Sequence, residues 1–222
     1  SNVAVGSGAL FTNDSGNSNV ALGNSALYKN KDGYSNVAVG SGALYKNDSG
    51  YSNVALGYNA LYTNDSGYYN VALGNCALKN NTASGNTAVG FNALFTNDSG
   101  YSNVALGNIA LYKNDTGTDN VALGNSALQF NTTGSQNVAI GSGANVSSDD
   151  ATNQIVIGAG ATGIKDNTIV LGNNDIKQAF IGNGDAIATV KIGTMSPVNA
   201  VTPDFIGQIY IDTTSGGTAY IA

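Results

Sequence analysis

"NVALGNSALYKN", Asn19–Asn30, returns with small changes along most of a 222-residue chain. Aligned on the asparagine ahead of the apolar run, copies begin at Asn2, Asn19, Asn36, Asn53, Asn70, Asn86, Asn103, Asn120 and Asn137. The steps are 17 residues except for one of 16 between Asn70 and Asn86. Two looser copies, NQIVIGAGATGIKD at Asn153 and NTIVLGNNDIKQAF at Asn167, follow by steps of 16 and 14. Repetition at such a period outranks local propensity in choosing a fold.

Within a copy, NVALG alternates with period two, which sets Val20 and Leu22 on one face of a short strand and Asn19, Ala21 and Gly23 on the other. A tight GNS passage leads to a second expected strand, ALYK, and then to NDSG or NDTG, residues that each favour turns. No segment has helical periodicity. A two-stranded unit cannot bury its apolar face alone, so the copies are predicted to stack in parallel as an all-β solenoid. At about 4.8 Å per coil, roughly eleven coils make a rod on the order of 50 Å long. Apolar residues on both faces of NVALG exceed what so narrow a coil can bury. A homotrimer is therefore expected, with the small Ala and Gly positions serving its interface.

The reading places the solenoid at 1–194, with nine coils of the 17-residue type over 2–152 and shorter coils over 153–194. Residues 195–222 form a linker containing Pro197 and Pro203 and a small C-terminal β module from Val201, since proline cannot donate to a ladder.

Composition narrows function. Net charge is -6, and all eight basic residues are lysines without a basic cluster, which argues against nucleic acid. No apolar run approaches the roughly 20 residues of a membrane-spanning helix, so membrane insertion is not expected. Cys76 stands alone where sister copies carry Ser25 and Ser126, and it reads as a small packed side chain. Without histidine, arginine or a second cysteine, no catalytic, cofactor or metal site is expected, and the chain is read as no enzyme.

The stretches NVAVGSGAL, NTAVGFNAL, NVAIGSGAN and NTIVLGN resemble the head repeats of trimeric autotransporter adhesins of the YadA type, repeats also found in bacteriophage tail fibres. The resemblance covers roughly residues 1–185 and implies a left-handed parallel β-roll that trimerises side by side. The chain departs from it by adding about three residues, the YKNDSG turn, to most coils. VTPDFIGQIYIDTTSGGTAYIA, Val201–Ala222, resembles a β module of phage and prophage tail fibres. Together these imply a virion tail fibre that meets a host-surface glycan or protein and joins other fibre or baseplate proteins. The alternative they leave is the head of a bacterial surface adhesin that binds matrix protein or glycan.

Candidate contact residues come from two aromatic rows. Tyr28, Tyr45, Tyr62 and Tyr112, with Phe11 and Phe95 in the same place, are expected to pack between coils or across the trimer. Tyr34, Tyr51, Tyr68 and Tyr101, just past the turn glycine, are expected to face solvent as a platform for sugar rings, because Asn17 and Thr118 replace them elsewhere. The row Asp14, Asp48, Asp65, Asp98 and Asp115 reads as a series of Asx-type turns, with a cation ladder as the alternative. The sequons at Asn13, Asn47, Asn64, Asn97, Asn114 and Asn131 coincide with the same turn.

Overall fold

The computed structural model describes residues 1–175 and the strand segments 178–181, 188–193, 209–212 and 219–221. The described residues contain no helix, and the expected parallel β-solenoid is present. Its main sheet is a ladder of eleven three-residue strands: β1 Val3–Val5, β2 Val20–Leu22, β3 Val37–Val39, β4 Val54–Leu56, β5 Val71–Leu73, β7 Thr87–Val89, β9 Val104–Leu106, β10 Val121–Leu123, β11 Val138–Ile140, β12 Ile155–Ile157 and β13 Ile169–Leu171. A two-strand sheet joins β6 Asn80–Asn81 to β8 Thr96–Asn97. Neighbouring copies pair residue for residue, Ala21 on Ala38 and Ala38 on Ala55, so the strands of the main sheet stay in register from coil to coil.

Alternation on these strands sends the repeat asparagine and the alanine inward and the two branched residues outward. Ala21, Ala26 and Leu27 are fully buried, as are their counterparts up the stack. The small side chains therefore fill the coil's own interior, and the expectation that Ala lines a chain–chain interface is corrected. The close walls of the narrow interior favour alanine at this position, with Val156 taking the place, fully buried, in β12.

The other inward positions are asparagines, in two ladders. In the first, the Asn36 Nδ2 group donates to the Gly50 carbonyl at 2.8 Å and to Asn19 Oδ1 at 3.1 Å, while Asn36 Oδ1 accepts the Asn53 backbone N–H at 3.0 Å. In the second, Asn47 Nδ2 donates to Asn30 Oδ1 and to the same Gly50 carbonyl, each at 2.8 Å. One glycine carbonyl thus ties two asparagines together in most coils, with Ala83 in its place in one. Both ladders are buried, and each satisfied amide avoids the roughly 1–3 kcal/mol that a buried unpaired polar group costs.

The second expected strand, ALYK, is instead a corner. Leu27 has φ 50° and Ser25 φ 54°, both left-handed, and equivalent positions repeat this turn. Only the last residue of ALYK pairs across most coils, in single parallel bridges such as Lys29 to Lys46. Left-handed backbone costs a leucine about 1–2 kcal/mol, which complete burial of the side chain offsets.

The last copies also differ in register. Ile155 pairs with Val138, so the residue in the asparagine position is Gln154, whose N–H reaches Asn137 Oδ1 at 2.9 Å. The last two steps are therefore 17 and 14, reached at Gln154 and Thr168. Asn153 and Asn167 occupy the left-handed corner filled elsewhere by Ser18 or Ser35. Among the described residues the last strand of the main ladder is β13.

The chain divides into two units, Ser1–Gly172 and Asn173–Ala222. In the second, β14 Gln178–Ile181 pairs antiparallel with β15 Ala188–Gly193, β15 pairs parallel with β16 Ile209–Asp212, and β16 pairs antiparallel with β17 Ala219–Ile221. The stretch expected as a linker, with Pro197 and Pro203, lies outside the described residues.

Candidate functional site

The outside of the solenoid carries three kinds of periodic surface. The first is apolar: the outward residues of the ladder strands, including Leu22 at 46%, Leu56 at 47% and Ile169 at 64% exposure, line up in register, half-buried from Val71 to Leu123 and with Thr87 among them.

The second is aromatic. Phe11, Tyr28, Tyr45 and Tyr62 stack successively with ring centroids 4.8–5.0 Å apart, and Phe95 stacks on Tyr112 at 5.3 Å. From Tyr28 onward these rings are half-buried against one another. Lys79 interrupts the row and holds its ammonium 5.4 Å over the Phe95 ring.

The proposed contact residues form the other row. Tyr34, Tyr51 and Tyr68 stack at 4.8 and 4.9 Å with interplanar angles of 1° and 6°. Tyr69 adds an edge-on ring against Tyr51 and Tyr68 at 5.6 and 5.4 Å. Burial first, and then the neighbouring tyrosines, push the Tyr51 hydroxyl above its ordinary value. Tyr34, Tyr68 and Tyr101 are 42%, 40% and 53% exposed. Tyr101 is separated from the other three by the one 16-residue coil, where Ser84 holds the tyrosine position. Tyr68, Thr82, Ala83, Ser84, Ser99 and Tyr101 line an open cleft of about 290 Å³ at that place.

The third surface is the turn face. Asn47, Asn64, Asn97, Asn114 and Asn131 of the sequons have fully buried side chains held in the second ladder, so their amides are not presented for glycosylation. The adjacent aspartates do not converge: among the described residues no three His, Cys, Asp or Glu side chains gather as a metal site would require. Lys46 Nζ lies 2.9 Å from Asp65 in the next coil. Cys76 is half-buried at the left-handed corner, φ 54°, in the place of Ser25.

Tyr69 and the asparagine ladders escaped the sequence reading. The ladders did leave a signal: from Asn13 to Asn131 the position before the turn is asparagine in every copy, whereas its neighbours vary among Lys, Thr, Asp, Asn and Phe. Only an interior hydrogen-bonding role demands such uniformity. Compared with protein-family models, with curated proteins and with solved structures, the chain finds no match in any of the three.

Proposed function

We propose that this chain is a structural and adhesive rod segment of a trimeric phage or phage-like tail fibre that contributes to host-surface recognition. The observation that carries this reading is the outward Val, Leu and Ile row of the ladder, exposed towards both ends and half-buried from Val71 to Leu123. A contiguous apolar strip of that length is rare on a monomer and marks an interaction surface. A cyclic trimer about the long axis would close the strip, leaving the aromatic rows to face outward.

Such a rod suits reach. Its identical in-register coils resist bending, and the tyrosine row supplies ring faces of the kind that sugars stack on. The resemblance of Val201–Ala222 to tail-fibre modules favours the virion over a bacterial cell surface.

Light scattering at several concentrations tests the assembly. A mass three times the 22.3 kDa chain, falling to one chain in a Leu22→Lys, Leu56→Lys double variant that keeps its β signal, supports the reading. A wild-type monomer at all concentrations overturns it.

A further inference from the structure

We propose that the break in the outer tyrosine row is a binding slot for a single neutral hexopyranose ring, held between Tyr68 and Tyr101. The slot deepens the surface-recognition reading and rests on it.

The row advances one ring per coil, 4.8 Å from Tyr34 to Tyr51 and 4.9 Å from Tyr51 to Tyr68. The next coil carries Ser84, and the one after it Tyr101. Coil spacing therefore sets Tyr68 and Tyr101 about 10 Å apart along the rod, two steps of the ladder. That gap is one ring wide, with an aromatic face on either side. The same coil is one residue shorter than its neighbours, and the residue is lost from the turn that follows Asn81. Ala83 supplies the carbonyl that glycine supplies in most other coils, accepting from Asn70 and Asn81 at 2.8 Å each. The ladder from Asn64 through Asn81 to Asn97 continues through the deletion, while the Asn70 and Asn86 amides turn from their own ladder to Asn64 Oδ1 and Asn81 Oδ1 at 3.3 Å each. The missing residue and the missing ring thus fall together, where the cleft opens.

The lining selects the ligand. Ser84 Oγ accepts the Tyr68 backbone N–H at 3.1 Å, which leaves the Ser84 hydroxyl proton free to be donated into the cleft. Ser99 adds a hydroxyl group and Thr82 an acceptor oxygen, its proton being donated to the Asp98 carbonyl, and no charged side chain lines the space. A pyranose matches this on both counts: its C–H faces stack on the two phenol rings, and its equatorial hydroxyls meet Ser and Thr. Anionic sugars and nucleotides are disfavoured by the net charge of -6 and the turn aspartates, Asp98 among them.

The test is a printed array of neutral and anionic glycans, followed by saturation-transfer NMR with the neutral methyl hexopyranosides that score. Ser84→Tyr restores the residue that neighbouring coils carry, so it should fill the gap and abolish both signals without loss of β structure. Tyr68→Ala and Tyr101→Ala should each weaken binding about fivefold, the scale of one aromatic stacking contact. Tyr58→Ala, an exposed tyrosine outside the row, should leave it unchanged. Glycan binding that survives Ser84→Tyr overturns the slot while leaving surface recognition standing. Absence of wild-type signal for every neutral glycan also overturns the slot, and the light-scattering result then judges the fibre reading separately.

Discussion

Replacing Asn53 with alanine isolates what the inner ladders contribute. The side chain donates to the Gly67 carbonyl at 2.8 Å and to Asn36 Oδ1 at 3.1 Å, and its own oxygen accepts the Asn70 N–H at 3.0 Å. After truncation the Gly67 carbonyl keeps Asn64, and Asn36 Oδ1 keeps the Asn53 backbone N–H. Asn70 N–H keeps nothing, and Asn70 is fully buried. An orphaned buried donor costs about 1–3 kcal/mol, and a lost hydrogen bond about 0.5–1.5 kcal/mol, so Asn53→Ala should destabilise by about 2–4 kcal/mol. Asn2 makes the equivalent bonds, to Gly16 and to the Asn19 N–H at 2.9 Å each, but at the exposed first coil. Water can take over there, and Asn2→Ala should cost under about 1 kcal/mol. Urea denaturation followed by far-ultraviolet circular dichroism measures both. Equal losses in the two variants, or a loss below about 1 kcal/mol at Asn53, would refute desolvation as the source of ladder strength.

Three other outcomes are expected. Gly57→Ala should abolish folding of the central coils or cost more than about 3 kcal/mol, since a Cβ there meets the Gly74 carbonyl at 2.5 Å on a backbone with φ +137°. Hydrogen exchange localised to neighbouring coils would reveal it. Lys46→Met should leave the urea midpoint unchanged within error, because both partners of the Lys46–Asp65 pair are 43% exposed and solvent screens them. Its hydrogen bond with Asp65 raises Lys46 above 10.5, so any contribution is complete below that pH and fades as pH rises through the raised value. Ultraviolet titration should show a late-ionising tyrosine that Tyr51→Phe removes. Because the folded-state value lies above 10.0, the associated stability is present below pH 10.0 and is lost on going higher.

Period, strand position and solenoid class were legible because they follow from alternation in NVALG and from its recurrence. The second strand was misread because ALYK has strand-like composition. A buried Leu27 can hold φ 50° only once the neighbouring coils cover it, and that is a tertiary effect. The alanine interior was misplaced for a related reason. Alternation fixes which residues share a face, and coil width decides which face is inside; the width follows from three-residue strands joined by corners. The register at Gln154 was hidden because Asn153 offered a closer chemical match than the residue that replaces asparagine there. Of the contact candidates, the row formed by Tyr34, Tyr51 and Tyr68 emerged as a stack, while the neighbourhood of Tyr101 depended on a one-residue deletion whose placement only the ladder geometry reveals.

Periodicity also constrains where recognition can reside. Ala, Leu, Gly and Asn at the interior positions are held nearly constant from copy to copy because each touches its own counterpart above and below, so one change disturbs two interfaces. Outward positions escape that coupling. The place of Tyr58 is filled by Asn75 and then Phe91 in the next two coils, and the place of Tyr68 by Ser84. A ligand smaller than the rod cannot distinguish identical coils, so a strictly regular surface offers it many equal weak sites. A unique site arises where outward residues break step while an inner ladder continues. The coil from Asn70 to Gly85 does this, combining a one-residue deletion, a missing ring and unbroken asparagine pairing from Asn64 through Asn81 to Asn97.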